Sequence, residues 1–367
     1  MYGISMGTRI RRSPYHAATV AAGVTSFTTY NHMLMPTSYG DPQAEYRRLI
    51  DGVAMWDVAV ERQIALKGPD AQRLAQALCC RELSKLKPGQ GRYVALCDHR
   101  GVLINDPVLL LHEDGTIWLF IADSDVLLWA RAVAAERRLD VEVEEEDIAP
   151  LAVQGPKAED VIADLFGEDI RAIRHFGFRE ERLGDIPLVL ARSGWSKQGG
   201  FELYLRDSRR ATELWNRVAE AGAPYDIGPG APNPSERIES GLLSVGADTD
   251  DATTPFEVRM ERFVDLEIDA DVIGLPALQA EAARGPKRHQ LGVVFPKAAP
   301  DSHAERLTLT SGNRRVGEIT ATAPSPRMGK TIGLALVSRE VEPGAALDTI
   351  LPDGRSAPVE LRELPFL

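Results

Sequence analysis

The segment RSGWSKQGGFELYL, residues 192–205, joins a polar, glycine-containing loop to a short predicted strand. In the strand FELYL, Glu202 and Tyr204 alternate with three apolar residues. Because side chains alternate faces along a strand, Glu202 and Tyr204 are expected on one face and the apolar residues on the other. The pattern therefore predicts a carboxylate and a phenol side by side, next to a glycine-containing loop.

This pair has a defined binding chemistry. A carboxylate can accept two parallel N–H bonds from the edge of a planar, guanidine-like ring. Trp195 in the loop adds a flat face that can stack on a ring or a cation. From this segment alone, an ordinary half-buried strand after a turn is the alternative interpretation.

Composition limits the classes of function. The chain has 367 residues, 44% of them hydrophobic and 26% charged, which is enough for two or three globular domains. The net charge is −12. Because a basic footprint is missing, binding to nucleic acid is not expected, and the acidity gives no attraction to anionic membranes.

Cysteine usage and hydropathy add further expectations. The three cysteines, two of them adjacent, do not suggest a disulfide framework. No CxxC or spaced His/Cys cluster is present, so no metal site is predicted. Neither a signal peptide nor a run of 18 apolar residues is found. The cytoplasm is therefore the predicted compartment, without a membrane partner.

Two segments share a strand–Gly-Pro–helix pattern: QIALKGPDA at 63–71 and LAVQGPKA at 151–158. Since proline is tolerated in the first turn of a helix, helices are predicted over 70–78 and 157–165. A common type of turn that occurs twice would explain the repeated pattern equally well. Further helices are predicted over 45–54, 124–138, 208–221, 235–243 and near 273–283, and strands over 93–97, 103–111, 117–121 and 141–143. Short strands with turns at 311–313 and 352–354 predict a small all-β domain at the C-terminus.

Asp106 is unusual because it interrupts the apolar run at 102–111. Burying a carboxylate costs free energy unless the group has a partner. One hypothesis is a site carboxylate that faces a ligand amine. The alternative is a strand-edge aspartate bonded to the backbone at a proline bulge.

Two other segments leave alternatives open. Tyr30 and His32 could line a pocket, or His32 could be a satisfied core residue. The pairs Trp56-Asp57 and Glu61-Arg62 could form a buried ion pair or a substrate clamp, and the sequence does not decide between them. Signatures of the common hydrolases and kinases, such as GxSxG, HExxH and GxxxxGK[ST], are missing.

Taken in order, these motifs resemble the folate-dependent T protein of the glycine cleavage system and its relatives. The resemblance covers nearly the whole chain and runs through Trp56-Asp57, KGPDA, Tyr93, Asn105-Asp106, QGPKA, RSGWSKQGGFEL, ERIESGLLSVGADTDDATTPFE and VGEIT…SPRMGKTIGLALV. It implies an α+β, three-domain folate-binding fold with a C-terminal β-barrel. The implied domains are an aminomethyltransferase-like region at 1–275, with subdomains of about 1–55 plus 145–275 and 56–144, and a barrel at 276–367.

Details within the family point to a particular branch. The T protein usually has a tyrosine and an acidic loop where this chain has the sequence WSKQ at 195–198, and Asp-Asp where it has Asn105-Asp106. These segments, with RRSPYHAATVAAGVTSFTTYNHMLMPT near the N-terminus, are similar to the branch that takes a methyl group from a sulfonium donor. Non-catalytic folate-binding regulators carry a KGCYxGQE signature, and the matching region here has no cysteine.

The resemblance also implies a folate site. Glu202 is expected to bind the pterin edge with Tyr204 beside it, and Asp106 to approach the amine nitrogens of the reduced ring. Tyr93 and Trp195 are expected to wall the site. Asp106, Trp195 and Tyr204 are the residues expected to act in catalysis.

For the methyl donor, the cation is expected against Trp195 and then Tyr30, because aromatic faces attract cations. Its carboxylate is expected to meet Lys197 or Arg62. The predicted activity is a tetrahydrofolate-dependent methyltransferase that needs a small-molecule donor and tetrahydrofolate and no metal. Aminomethyl transfer in glycine cleavage, demethylation of another onium compound or betaine, and non-catalytic folate binding are the alternatives. A homodimer is one alternative for its assembly.

Overall fold

The computed structural model describes residues 6–297 and 306–367. The helices are α1 (His16–Ala21), α2 (Pro42–Asp51), α3 (Ala71–Leu78), α4 (Val126–Glu136), α5 (Ala158–Phe166), α6 (Ala211–Gly222), α7 (Pro234–Glu239) and α8 (Leu275–Arg284). The first strands are β1 (Ser26–Tyr30), β2 (Met33–Ser38), β3 (Ala54–Asp57), β4 (Gln63–Lys67), β5 (Gln90–Tyr93), β6 (Leu96–Cys97), β7 (Leu103–Asn105), β8 (Val108–Leu111), β9 (Ile117–Phe120) and β10 (Glu142–Glu145). The remaining strands are β11 (Ala149–Gln154), β12 (Phe178–Leu183), β13 (Ile186–Ala191), β14 (Gly200–Leu205), β15 (Gly228–Gly230), β16 (Arg288–Phe295), β17 (Leu307–Ser311), β18 (Arg314–Ser325), β19 (Lys330–Ser338), β20 (Ala346–Ile350) and β21 (Ser356–Arg362).

The chain divides into two compact units. The first unit contains Met1–Ala71, Leu86–Arg92 and Val108–Asn233, and the second contains Gln72–Lys85, Tyr93–Pro107 and Pro234–Leu367. Residues 1–5 of the predicted folate-binding region and 298–305 of the predicted barrel domain lie outside the described residues. The predicted domain bounds stay a prediction.

A six-stranded sheet organises the first unit, with the strand order β12-β13-β14-β11-β3-β15. Ala152 of β11 lies opposite Glu202 of β14 on one side and opposite Trp56 of β3 on the other. Phe201 and Leu203 point into an apolar core that also takes residues from α5 and α6. The alternation in the strand FELYL is therefore confirmed, because Glu202 lies on the face opposite this core.

The polar face of this sheet meets a second apolar cluster. A five-stranded sheet with the order β10-β4-β9-β8-β5 contributes Trp118 and Phe120 to it, and the six-stranded sheet contributes Val189 and Tyr204. The rings of Phe120 and Tyr204 lie 4.2 Å apart. The ring of Tyr204 is thus fixed by aromatic packing while its hydroxyl stays available for hydrogen bonding.

Both strand–Gly-Pro–helix units are confirmed. Strand β4 precedes α3, and β11 precedes α5, and each helix begins one residue later than predicted. The predicted short helix near 273–283 is α8. No helix among residues 6–297 and 306–367 is long and apolar enough to cross a membrane.

The C-terminal part of the second unit is a closed barrel of six strands in the order β16-β19-β18-β17-β20-β21. Its interior is filled by aliphatic side chains such as Leu291, Val293, Leu309 and Leu361. The predicted α+β class with a C-terminal β-barrel is confirmed.

The predicted strand over 103–111 is wrong in one respect. It is broken into β7 and β8, and Asp106 and Pro107 lie between them. Proline lacks the N–H that a continuous ladder needs, so the chain leaves the sheet at this point. The predicted strand over 93–97 is likewise divided between β5 and β6, while the helix over 45–54 ends at Asp51 because Gly52 follows.

Candidate functional site

Glu202 is the centre of a buried hydrogen-bond network in the first unit. The Tyr204 hydroxyl donates to Glu202 Oε2 at 2.6 Å, and the Ser193 hydroxyl donates to the same oxygen. Within the part of the chain that the structure describes, no side chain donates to Oε1. One oxygen of this carboxyl group is therefore saturated and the other is an acceptor without a donor.

Burial controls the ionisation of this pair. Desolvation raises the pKa of Glu202, although the hydrogen bonds from Ser193 and Tyr204 oppose the shift. Burial and the nearby Glu202 carboxyl raise the pKa of Tyr204 well above its usual range, so the phenol stays protonated and remains a donor. A cationic or doubly donating ligand edge would stabilise the carboxylate form of Glu202.

The loop that precedes Glu202 carries two of the four residues predicted to hold the methyl donor. Trp195 is half-buried and Lys197 is exposed. Lys197 lies near His175, and burial, followed by the positive charges of Lys197 and Arg192, lowers the pKa of the imidazole. Gln154, at the end of β11, contacts this loop and donates through Nε2 to the Ser193 carbonyl at 3.0 Å.

Tyr30 and Arg62, the other predicted donor-binding residues, are also in the first unit. Tyr30 is half-buried at the end of β1, directly before a turn in which Asn31 has a φ of 47°. The Asn31 side-chain amide donates to the carbonyls of Val60 and Ile121, each at 3.0 Å. The turn after Tyr30 is therefore hydrogen-bonded to the segment before β4 and to the residue that follows β9.

Arg62 forms an ion pair. Its Nη2 contacts Glu145 Oε2, and the other oxygen of Glu145 accepts from Arg11 at 2.8 Å. The side chain of Arg62 is 11% exposed. Asp57, which the sequence grouped with Arg62, instead accepts hydrogen bonds from Ser13 and from the Ala59 N–H. Any carboxylate of a ligand would therefore share Arg62 with Glu145.

Asp106 and Tyr93 are joined in the second unit. The Tyr93 hydroxyl donates to Asp106 Oδ2 at 2.5 Å, and the Tyr93 ring packs edge-on against Phe263 with centroids 4.9 Å apart. Burial raises the pKa of Asp106 to about 7, and the negative charge of Asp248 adds to the shift while the Tyr93 hydrogen bond opposes it. The carboxyl group thus has a phenol partner and titrates near neutrality.

The structure therefore places six of the eight predicted site residues in two groups, and Tyr30 and Arg62 belong to neither. Glu202, Tyr204, Trp195 and Lys197 lie on one loop and strand, while Tyr93 and Asp106 form a hydrogen-bonded pair. Among the described residues, no group of three or more His, Cys, Asp or Glu side chains could hold a metal ion.

Sequence reasoning missed Ser193 and Gln154. Ser193 belongs to the segment 192–205 from which the site was predicted, and it lies two residues before Trp195. Gln154 is the first letter of the QGPKA motif. It is a polar residue at the end of an otherwise apolar strand, which is a signal that could have found it.

The chain matches two protein families along most of its length. The GCVT N-terminal domain matches residues 15–268, and the glycine cleavage T-protein C-terminal barrel domain matches residues 288–367. The chain belongs to the glycine cleavage T-protein family. The predicted resemblance is thereby confirmed, and the barrel domain of this family coincides with strands β16 to β21.

Individual relatives of this T-protein family member differ in activity. Dimethylsulfoniopropionate demethylase from Ruegeria pomeroyi is 40% identical over 364 residues, which cover 99% of each chain. An aminomethyltransferase from Rubrobacter xylanophilus is 31% identical over 100% of this chain and 96% of that protein. The crystal structure of the glycine cleavage system aminomethyltransferase T from Bartonella henselae has a TM-score of 0.86 at 22% identity, with 98% of both chains covered. That structure shows the same fold.

Proposed function

We propose that this protein transfers a methyl group from dimethylsulfoniopropionate to tetrahydrofolate, and that the products are 3-(methylthio)propanoate and 5-methyltetrahydrofolate. The observation that carries the proposal is the 40% identity to the Ruegeria demethylase over 99% of both chains. The loop at 195–198 supports it, since it carries Trp195 and Lys197 where the T protein usually has a tyrosine and acidic residues.

On the folate side, Glu202 is the proposed anchor. Its Oε1 is the acceptor without a donor, and its Oε2 is held in place by Ser193 and Tyr204. The pterin edge presents N–H groups like those of a guanidine, and these can donate charge-assisted hydrogen bonds to Oε1. Holding the ring in this manner fixes the position of N5, the nitrogen that must attack.

The reaction is a single displacement. The N5 lone pair attacks the sulfonium methyl carbon, the bond between this carbon and sulfur breaks, and its electron pair goes to sulfur as the neutral thioether leaves. N5 then carries the methyl group and a positive charge until its proton is released. Because the leaving group is neutral, the protein mainly positions and desolvates the reactants.

Asp106 is the proposed partner of the reacting nitrogen. As a carboxylate it would stabilise the positive charge that develops on N5 and could accept the released proton. Its raised pKa of about 7 matches this role, because a group with a pKa near the operating pH can both hold and release a proton. Tyr93 holds this carboxyl group by its hydroxyl.

On the donor side, Trp195 and then Tyr30 are the proposed faces for the sulfonium cation. Lys197 is the proposed partner of the donor carboxylate, because its side chain is exposed on the same loop as Trp195. A cytoplasmic location, a role in sulfur and one-carbon metabolism, and a homodimer remain predictions of this proposal.

Aminomethyl transfer is the second candidate function, and the 31% full-length identity to an aminomethyltransferase favours it. The loop at 195–198 disfavours aminomethyl transfer. Lys197 would repel a cationic aminomethyl-lipoyl group but would attract the free carboxylate of a sulfonium donor.

The deciding experiment incubates purified protein with tetrahydrofolate and a panel of methyl donors, including dimethylsulfoniopropionate and betaines. We expect 5-methyltetrahydrofolate from dimethylsulfoniopropionate without a carrier protein, a pyridoxal enzyme or added metal. The variant Lys197→Glu should raise the KM for donors that carry a carboxylate. Ammonia release from an aminomethyl-lipoyl carrier, with no methyl transfer from any sulfonium compound, would instead establish the second candidate. Binding of tetrahydrofolate without turnover of any donor would indicate a non-catalytic folate-binding protein.

A further inference from the structure

Gln154 ends strand β11 and is fully buried, with 0% of its surface exposed. Its Nε2 donates to the Ser193 carbonyl at 3.0 Å, and its Oε1 accepts from the Ser196 hydroxyl at 2.9 Å. Since a backbone carbonyl can only accept, this network determines the orientation of the amide. One buried side chain thus fixes the loop on both sides of Trp195.

The loop backbone also packs directly against this amide. A Cβ atom at Gly194 or at Gly200 would overlap the Gln154 side chain. Both glycines have a positive φ, 144° and 151°, which other residues rarely adopt. The Gly155 N–H additionally donates to the Gly199 carbonyl at 2.9 Å. The glycines of this loop therefore allow a close approach to β11 and do not make the loop loose.

The same amide is linked to the proposed folate anchor. Gln154 lies opposite Gly200 in the pairing of β11 with β14, two positions along from the pair formed by Ala152 and Glu202. Gln154 and Glu202 therefore share one face of the sheet. Ser193, whose carbonyl accepts from Gln154, donates its hydroxyl to Glu202.

We propose that Gln154 is a positioning residue. It fixes the position of Trp195 relative to Glu202, so that the donor and the pterin bind in the correct positions relative to each other. The side chain of Gln154 is 0% exposed and bonds to Ser193 and Ser196, so the role assigned to it is one exerted through the loop and not by contact with a substrate. This inference rests on the proposed function, because it assigns donor binding to Trp195 and pterin binding to Glu202.

Two variants and one control test the inference on the full chain. Gln154→Met keeps a side chain of similar length and removes all of its side-chain hydrogen bonds. Ser196→Ala removes the bond to Oε1 and, with it, the longer bond that the Ser196 hydroxyl accepts from the Gln198 N–H at 3.3 Å. Gln290→Met is the matched control, because Gln290 is also a buried glutamine on a strand, in the barrel. Initial rates of 5-methyltetrahydrofolate formation give the KM for each substrate and kcat. Hydrogen exchange of the amides at 193–200 reports on the loop without requiring activity.

We expect Gln154→Met to raise the KM for dimethylsulfoniopropionate about tenfold, since misplaced binding groups lose much of their effect. The KM for tetrahydrofolate should rise less than about threefold, because Tyr204 still holds Glu202. Ser196→Ala should raise the donor KM about threefold, and Gln290→Met should leave both KM values unchanged. Exchange at 193–200 should become about tenfold faster in Gln154→Met.

The outcomes separate this inference from the proposed function. Wild-type protein that forms no product from any sulfonium donor contradicts the proposed function, and the exchange data then decide about Gln154. Unchanged exchange at 193–200 in Gln154→Met, or unchanged KM values in an active and folded variant, overturns the positioning role. Equal rises in both KM values overturn it as well, because they indicate a general loss of structure. If Gln154→Met does not fold, an unchanged donor KM in Ser196→Ala overturns it.

Discussion

Two carboxyl groups, Glu202 in the first unit and Asp106 in the second, are built on the same principle and differ in detail. Each accepts a hydrogen bond from a tyrosine hydroxyl, at 2.6 Å for Glu202 and at 2.5 Å for Asp106. Burial raises the pKa of both. Glu202 has a second donor in Ser193, whereas the negative charge of Asp248 opposes ionisation of Asp106.

The difference indicates that the two carboxyl groups have different roles. A carboxyl group held by two hydroxyl donors on one oxygen is rigid and presents its other oxygen in a fixed direction, which suits binding. A carboxyl group with a single side-chain donor and a pKa near 7 can change its protonation state at little cost, which suits work at a reacting nitrogen. Glu202 is thus expected to govern affinity, and Asp106 to govern rate.

The largest effect should come from Asp106→Asn. This substitution keeps the shape of the side chain and removes its negative charge, so the developing charge on N5 loses its partner. We expect kcat to fall about 100-fold or more, while tetrahydrofolate affinity changes little. Single-turnover rates and calorimetric titration on the same preparation measure the two quantities. A variant with normal kcat and weak folate binding would reverse the assignment.

The variant Glu202→Gln should act on binding. Loss of a charge-assisted hydrogen bond typically costs about 1.5–3 kcal/mol, which corresponds to a roughly 10- to 150-fold weaker Kd for tetrahydrofolate. Calorimetry on protein with unchanged unfolding temperature is the measurement, and Glu180→Gln, at a partly exposed ion pair with Arg206, serves as a control. Unchanged affinity in folded Glu202→Gln would remove this residue from the site.

The pH dependence of the rate should report on Asp106. Since its folded pKa is raised to about 7, the group is largely protonated below this value, and the rate should fall about tenfold from pH 8 to pH 6. Tyr93→Phe removes a hydrogen bond that favours the charged form, so it should move the midpoint to higher pH by less than about one unit. Tyr204→Phe is the matched control and should leave the midpoint in place. A flat profile in the wild type, or equal shifts in both variants, would contradict the role of Asp106.

The smallest effect is expected from Trp195→Leu, which tests whether donor recognition belongs with the Glu202 group. A cation over an indole contributes about 0.5–2 kcal/mol, so the KM for the sulfonium donor should rise a few-fold or more, with less change for tetrahydrofolate. Initial rates at varied concentrations of each substrate give both constants. If folate binding were lost and donor binding retained, the two roles would have to be exchanged.

Local patterns in the sequence predict much of this arrangement. The period of two in FELYL is enough to place Glu202 beside Tyr204, and the Gly-Pro motifs locate two helices to within one residue. These predictions succeed because they depend on backbone geometry over a few residues.

The parts that fail depend on contacts distant in the chain. Pro107 marks the break in the strand over 103–111, but nothing in that segment shows that Tyr93 is the partner of Asp106. Gln154 is 39 residues from Ser193, and no pattern within either segment links them. The barrel order, in which β16 pairs with both β19 and β21, is likewise set by closure of the whole sheet.

The close contact of Gly194 and Gly200 with Gln154 has a practical consequence for altering donor preference by directed evolution. A library that randomises residues 193–200 alone would consist largely of clones in which a new side chain collides with the amide at 154. A more productive library would keep both glycines and vary Trp195 and Lys197, or would shorten residue 154 together with any change at the glycines. Residues 154, 194 and 200 therefore have to be kept or changed together, although residue 154 is distant from the other two in the sequence.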